Sequence, residues 1–582
     1  MKKMFTYFNP YKWQSLLGPL FKLLEATFEL LVPFVVGLIV DKGLGERVNG
    51  AYPYANKTFI IQMCLVLAGF SLFGFLFAVA AQYFAAKTAT GVCAGVRRDL
   101  FRKIQSLSYK DIDKIGQATL LTRMTGDVDK LQAGINLFLR LFLRSPFIVF
   151  GAMITACIID SSSFGVFAVA IVALAIVVYA VMFACMPLYK KTQAELDDVL
   201  LSTRENLSGA RVLRAFCRED EERKLFDKRN EKLTQGRSFV GGIAAITNPL
   251  TYALVNLATI WLLYVGAIRV EHGNLSQGSV LALYNLIGQI LIELIKLANL
   301  IVTVTKAAAC GSRIESVLTL KPSLQITQSE QADLSDGSFV RFDKVCMRYN
   351  DGADEALSDV SFTVKRGETV GIIGGTGSGK TTLVNLIPHF YDVTDGAVFV
   401  DGKNVKGAAL QSFLREKIGV VPQKAALAKG TIRENLLWGK ADATDEELFQ
   451  AVRLAQAEEF VLEKGGLDAF VEQGGKNYSG GQKQRLTIAR ALVRQPEILI
   501  LDDSASALDY ATDAALRKAL RGLDTTVFIV SQRASAVKDA DKIIVLDEGK
   551  VVGIGSHESL MQDCNVYKEI YFSQYKEGGE AV

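Results

Sequence analysis

Residues 374–381 read Gly374, Gly375, Thr376, Gly377, Ser378, Gly379, Lys380 and Thr381, which fits G-x-x-x-x-G-K-[ST]. Glycines let main-chain N–H groups close around phosphate oxygens. The helix opened by Thr382 points its positive end at the same place. Lys380 is spaced for the β- and γ-phosphates and the Thr381 hydroxyl for Mg²⁺. The chemistry is binding of ATP with Mg²⁺. A second segment, PEILILDDSASALD, runs four apolar residues into Asp502, a carboxylate suited to the same Mg²⁺. The bland alternative is a strand that merely ends at solvent, and the upstream phosphate loop weighs against it. Between the two lies Ser479-Gly480-Gly481-Gln482 at the start of a helix rich in arginine and apolar residues. Glycines at a helix start again suit phosphate contact. That tetrapeptide is weak evidence alone and specific in this company.

These residues need an α/β scaffold. VGII before the loop reads as a short buried strand and TLVNLI after it as a helix, the strand–loop–helix context that the motif requires. The polar stretch 321–338 reads as a linker, with a nucleotide-binding domain over 339–582. The first 320 residues differ. The 582-residue chain is 50% hydrophobic, and that excess lies in the first half. Six apolar stretches, near 16–40, 58–86, 136–160, 163–188, 239–270 and 275–305, are long enough to cross a hydrocarbon core. The expected fold is a six-span helical membrane domain followed by an α/β nucleotide-binding domain.

The Lys and Arg residues between spans concentrate in two long connections, 87–135 and 189–238. Positive-inside bias places these and both termini in the cytosol, beside ATP. Their helical periodicity predicts spans that extend beyond the membrane and turn back, either as solvated helical extensions or with the turns docked on the soluble domain. Tyr7, Phe8, Tyr11 and Trp13 predict an interfacial helix, and no cleaved signal peptide is expected. Glu25, Glu29, Glu293 and Lys296 lie within apolar segments, where charge faces a cavity or a partner; Glu293 and Lys296 are spaced to pair. Lys22, Arg140 and Arg144 share that setting. Eight cysteines without a C-x-x-C pair indicate neither a disulfide framework nor a zinc site. A net charge of +4 gives no case for nucleic acid.

With these motifs in place, the chain resembles an ABC half-transporter of the exporter type over nearly its whole length. The resemblance implies a dimer with two ATP molecules, each between one chain's phosphate loop and the other's signature. It assigns adenine stacking to Tyr349, Mg²⁺ contact and sensing of the membrane domain to Gln423, and the signature to Ser479–Gln482. Ser506 and Asp509 fall in the loop that communicates across the dimer. Glu472–Gly475 matches an acidic cross-linking loop, Gly209–Phe216 a second coupling region, and Gly116–Asp127 the stretch after the first.

Two positions depart from the family pattern. The general-base glutamate after the strand aspartate is Asp503 here, and the switch histidine is Gln532; His272, His389 and His557 do not fit that position. Asp is one methylene shorter, and Gln cannot become cationic. The pattern resembles the degenerate-site subunit of bacterial heterodimeric multidrug exporters in the plasma membrane. Its partner would be a second, different half-transporter, and its cargo an amphipathic small molecule, lipid or peptide. A siderophore-type importer on the same fold, or a regulatory ATP-binding subunit, are the rival readings.

Overall fold

The computed structural model describes residues 2–44, 56–324, 337–349, 352, 354–407, 411–504 and 506–575. Most of the first inter-span loop and of the expected linker, at 45–55 and 325–336, therefore lies outside the described residues.

Six helical stretches among these residues are long and apolar enough to cross a membrane: Met4–Leu44, Lys57–Gln105, Gln117–Ile159, Ser161–Ser208, Glu219–Glu271 and Gln277–Leu318. They run further than the apolar segments alone. The helix Lys57–Gln105 has 49 residues. At 1.5 Å per residue it is about 74 Å long, against about 30 Å of hydrocarbon. The expected extension beyond the membrane is present.

The chain forms two compact units, 1–105 with 117–320, and 106–116 with 321–582. In the first unit Ala26, Leu30, Ile148, Leu283, Leu286 and Ile287 share a core. The third span breaks at Phe142 and resumes as Arg144–Ile159. Pro146 sits in the first turn of the resumed helix, where its missing N–H costs nothing. The break presents Arg144, which is 6% exposed. Its Nη1 donates to Glu293 Oε1 at 2.5 Å and its Nη2 to Glu29 Oε2 at 2.6 Å. Ser145 Oγ donates to the other Glu293 oxygen at 2.8 Å, and Lys296 Nζ to Oε1 at 2.7 Å. The Glu293–Lys296 pairing expected from spacing is present, but Arg144 is the hub. Lys22 and Glu25 pair separately at 2.5 Å. At the far ends of the first and sixth spans, Asp41 accepts from Gly278 N at 2.7 Å and Ser276 Oγ at 2.5 Å. The backbones there nearly touch, since a Cβ on Gly278 would lie 2.0 Å from Gly37 O.

The second unit is built on a six-stranded sheet in the order β12-β11-β3-β10-β9-β6. The strands are β3 (Thr369–Gly374), β6 (Ile418–Val421), β9 (Ile498–Asp502), β10 (Thr526–Val530), β11 (Lys542–Asp547) and β12 (Lys550–Gly555). The five from β11 to β6 are parallel, and only β12 is antiparallel. Every residue of β9 and β10 is buried, as expected of a parallel sheet covered on both faces. A four-stranded antiparallel sheet, β2-β1-β4-β5, lies in the same unit, made of β1 (Val340–Met347), β2 (Leu357–Val364), β4 (Asp395–Val400) and β5 (Lys403–Asn404), and β7 (Gly430–Thr431) pairs with β8 (Phe470–Val471).

Removing one partner of a buried ion pair costs about 3–5 kcal/mol, whereas replacing the pair by apolar groups is nearly neutral. Arg144→Met is therefore expected to lower the unfolding temperature of the detergent-solubilised chain. Arg144→Met with Glu293→Met should recover most of the loss, because Glu29 and Lys296 are both about two-fifths exposed. Scanning fluorimetry of the two variants checks this.

Candidate functional site: a nucleotide cleft

Parallel pairing puts four chain segments at one edge of the sheet. Ile372 and Asp502 both stand opposite Val530, and Leu501 opposite Val421. The phosphate loop leaves β3, residues 531–534 leave β10, Asp503 follows β9, and Gln423 lies two residues beyond β6. Ligands of open α/β sheets bind at this carboxyl edge. A cleft of about 300 Å³ is lined there by Tyr349, Thr376, Gly377, Lys380, Thr381, Thr382, Gln423, Asp502, Asp503 and Gln532, among others.

The loop geometry requires its glycines. Gly377 and Gly379 have φ of +83° and +94°, and a Cβ on Gly379 would lie 2.6 Å from Ala356 O. Gly374 is as tight, with Leu546 O 2.1 Å from where its Cβ would be. Lys380 curls over the loop, donating to Gly374 O at 2.9 Å and Gly375 O at 2.6 Å. Burial pushes its ammonium pKa down, against the pull of the Asp503 and Asp502 carboxylates. A desolvated cation among main-chain dipoles fits a polyphosphate.

Thr381 Oγ1 donates to Asp502 Oδ1 at 3.0 Å. A hydroxyl and a carboxylate side by side are hard oxygen donors of the kind Mg²⁺ takes together with substrate phosphates. Thr381, Asp502 and Gln423 would hold the ion, which supplies neutralisation of phosphate charge. Asp502 is 5% exposed. Burial raises its pKa, outweighing the Thr381 bond, and the neighbouring Asp503 charge raises it further. Gln423 Nε2 donates to Asp503 Oδ2 at 3.2 Å. Asp503 has a left-handed backbone, φ +45°, and Ser506 Oγ donates to its carbonyl at 2.8 Å.

The signature residues do not line this cleft. Ser479 caps the helix Gly480–Val493 in a reciprocal capping box with Gln482. The glycines are thus held at a helix N-terminus. Asp509 likewise caps the helix Tyr510–Leu520, accepting from Thr512 N at 2.9 Å. Glu472 receives no side-chain capping bond, though its N–H donates to Asn477 Oδ1 at 3.0 Å.

Residues 15–294 match the ABC transporter transmembrane region, and residues 357–506 match the ABC transporter family. Over the whole of both chains, the sequence is 33% identical to the ABC transporter ATP-binding protein YfiB of Bacillus subtilis. The chain belongs to the ABC transporter family. It is 29% identical to an ATP-dependent lipid A-core flippase of Haemophilus ducreyi, over 99% of this chain and 98% of that one. It is 31% identical to a proposed multidrug export ATP-binding/permease protein, YgaD, of Bacillus subtilis, over 99% of each. Its fold matches a bacterial Atm1-family ABC exporter with ATP bound, at a TM-score of 0.81 and 22% identity over 98% of this chain and 99% of that one. The protein is a multi-pass, ATP-hydrolysing transporter of the exporter type.

An aromatic path in this ABC transporter escaped the sequence reading. Tyr349, assigned to adenine, hydrogen bonds through its hydroxyl to Thr382 Oγ1 at 2.9 Å and meets Tyr391 edge-on at 5.3 Å. Tyr391 Oη donates to Asp113 Oδ2 at 2.8 Å. Asp113 lies on the short helix Tyr109–Ile115, whose Tyr109 ring is 4.8 Å from that of Phe390. Ser108 and Asp111 in turn bond to Ser323. These contacts are why Ser106–Gly116 belongs to the nucleotide-binding unit, where a continuous 1–320 membrane domain would exclude it. An exposed-looking aromatic in a polar stretch on each side, Tyr109 in SLSYKDID and Phe390 with Tyr391 in HFYD, was the available signal. The segment 209–216, which resembles a second coupling region, forms the helix Ala210–Ala215, with Val212 and Phe216 exposed in the first unit.

Because its pKa is raised, ionised Asp502 costs folding stability at neutral pH while remaining the form that binds metal. Asp502→Asn is expected to raise the unfolding temperature without nucleotide and to abolish the Mg²⁺-dependent part of ATP affinity. In the wild type, that part should weaken on acidification at a higher pH than an ordinary aspartate would dictate. Nucleotide titrations with Mg²⁺ and with EDTA across pH measure both.

Proposed function

We propose that this chain is the degenerate-site half of an asymmetric ABC exporter in a bacterial plasma membrane, with the N-terminus and nucleotide-binding domain cytosolic. The observation that carries the reading is the presence of Asp503 and Gln532 in the same cleft as an intact phosphate loop. The family's general base would polarise the attacking water, and its switch histidine would face the γ-phosphate. A carboxylate one methylene shorter, already accepting a bond from Gln423, is withdrawn from that water. A glutamine offers an amide donor but no cationic charge. The loop then retains ATP and turns it over slowly.

Ser479–Gln482, held as a capped helix N-terminus away from the chain's own cleft, completes the phosphate loop of a different half-transporter. Hydrolysis at that composite site resets the cycle. ATP binding draws the two nucleotide-binding domains together, and the long helices carry the closure to the spans. The cargo is amphipathic: a multidrug-like small molecule, a lipid or a peptide. The names of the flippase and multidrug relatives fit that class. Glu29 and Lys296, each about two-fifths exposed, are the members of the membrane charge network placed to meet cargo, while Glu293 serves from beneath. Glu25, paired to Lys22, is a further candidate for the cargo path.

The purified chain alone should hydrolyse ATP slowly while binding it tightly. Asp503→Glu with Gln532→His should raise its turnover by about 10²–10⁴, the usual contribution of a positioned general base. Rapid ATPase activity of the unmodified chain, or no gain in the double variant, would sink the reading. Co-purification from native membranes should yield a second half-transporter with glutamate and histidine at these positions.

A further inference from the structure

The segment after β10 is gripped from the C-terminal end of the chain. The helix Asn565–Phe572 is anchored by Tyr567, which is fully buried and whose hydroxyl lies 2.8 Å from His557 Nδ1. Ile570 and Tyr571 pack against the core of the sheet, and Tyr571 stacks on Tyr575 at 4.8 Å. Gln574 follows, its N–H bonded to Tyr571 O at 3.0 Å. Its side-chain amide does two things at once. Nε2 donates to the carbonyl of Gln532 at 2.8 Å, and Oε1 accepts from the N–H of Ala534 at 2.9 Å. Only this orientation of the amide matches donor to acceptor at both ends. A single side chain thereby pairs with the main chain as a neighbouring strand would, across a segment that has no strand partner there.

The clamped segment is functional on both sides. Gln532 lines the nucleotide cleft. Arg533, between the two clamped groups, donates to Ser506 O at 3.3 Å and Leu508 O at 3.5 Å, and its guanidinium lies 5.3 Å from the centre of the Tyr510 ring. The inner end is fixed separately, through Ser531 N to Ile372 O at 3.1 Å and Arg533 N to Ser531 Oγ at 2.9 Å. At the outer end Gln574 bonds the main chain on both sides of Arg533, and Arg517 Nη1 donates to Ser535 O at 2.8 Å.

We propose that Gln574 is a positioning residue of the ATP site, fixing through residues 532 and 534 how Gln532 faces the nucleotide and how Arg533 holds the 506–509 loop. The C-terminal helix is then a mechanical part of nucleotide turnover. A change that draws Gln574 away is read out 42 residues earlier in the chain, at Gln532. The inference rests on the ATPase family membership and not on the asymmetric-dimer reading.

The test uses the purified full-length chain. Gln574→Met keeps the length and removes both bonds; Gln574→Glu keeps the acceptor for Ala534 N–H and loses the donor. Hydrogen exchange of the 531–536 segment is expected to accelerate in Gln574→Met and to a lesser degree in Gln574→Glu. Single-turnover hydrolysis, with protein in excess over ATP, should slow about tenfold in Gln574→Met with ATP affinity within about twofold, as when an interaction matters in the reacting arrangement more than in binding. In a Gln532→Ala background the same change should add little, because residues that act through one another are not additive. Unaltered exchange, unaltered hydrolysis, or full additivity with Gln532→Ala would overturn the proposal. So would a slowing that appears only with a lowered unfolding temperature and lost ATP binding.

Discussion

Parallel pairing of β3, β10, β9 and β6 is the constraint on which the nucleotide cleft depends. The four segments at its rim are far apart in sequence, spanning from Gly374 to Ala534. What brings them together is a shared strand direction and a register that ends neighbouring strands at one level. Hydrogen bonds of the ladder therefore do for Lys380, Gln423, Asp502 and Gln532 what no local motif could. The buried apolar runs of β9 and β10 hold that register, since a slip by one residue would reverse every side chain.

The membrane unit solves a different problem. Charges inside apolar helices are costly unless paired. Here one arginine at a proline-linked break draws on two carboxylates from two other spans. The arrangement fastens the first, third and sixth spans at one depth by a directional contact, in a setting where apolar packing alone discriminates weakly between helix faces. Asp41 fastens the first and sixth spans again at their far ends.

Local chemistry was legible in the sequence and long-range chemistry was not. The phosphate loop, the Asp502 strand, the signature and the six apolar spans each announce themselves within a window of about one element, because glycine spacing, strand hydrophobicity and span length are local requirements. The pairing of Glu293 with Lys296 was readable for the same reason, being one helical turn. Its stronger tie to Arg144 crosses 149 residues and leaves no periodic trace. Tyr391 with Asp113, and Gln574 with Gln532, are likewise ordinary residues in polar stretches until the fold brings them together. Hydropathy marks only the lipid-facing part of a helix, while backbone hydrogen bonding continues into water; the helical periodicity of the two long connections showed the rest.

The nucleotide-binding unit is not an uninterrupted interval of the chain. A fragment beginning at Lys321 would lack Ser106–Gly116, leaving the rings of Phe390 and Tyr391 to water and the hydroxyl of Tyr391 without its carboxylate. Recombinant versions of the soluble half would therefore be built with an open wound beside Tyr349. A grafted copy of the short helix, joined through a flexible tether, would close it. The same eleven residues also give any shuffling of membrane and ATPase halves between related transporters a rule: the graft boundary must travel with them.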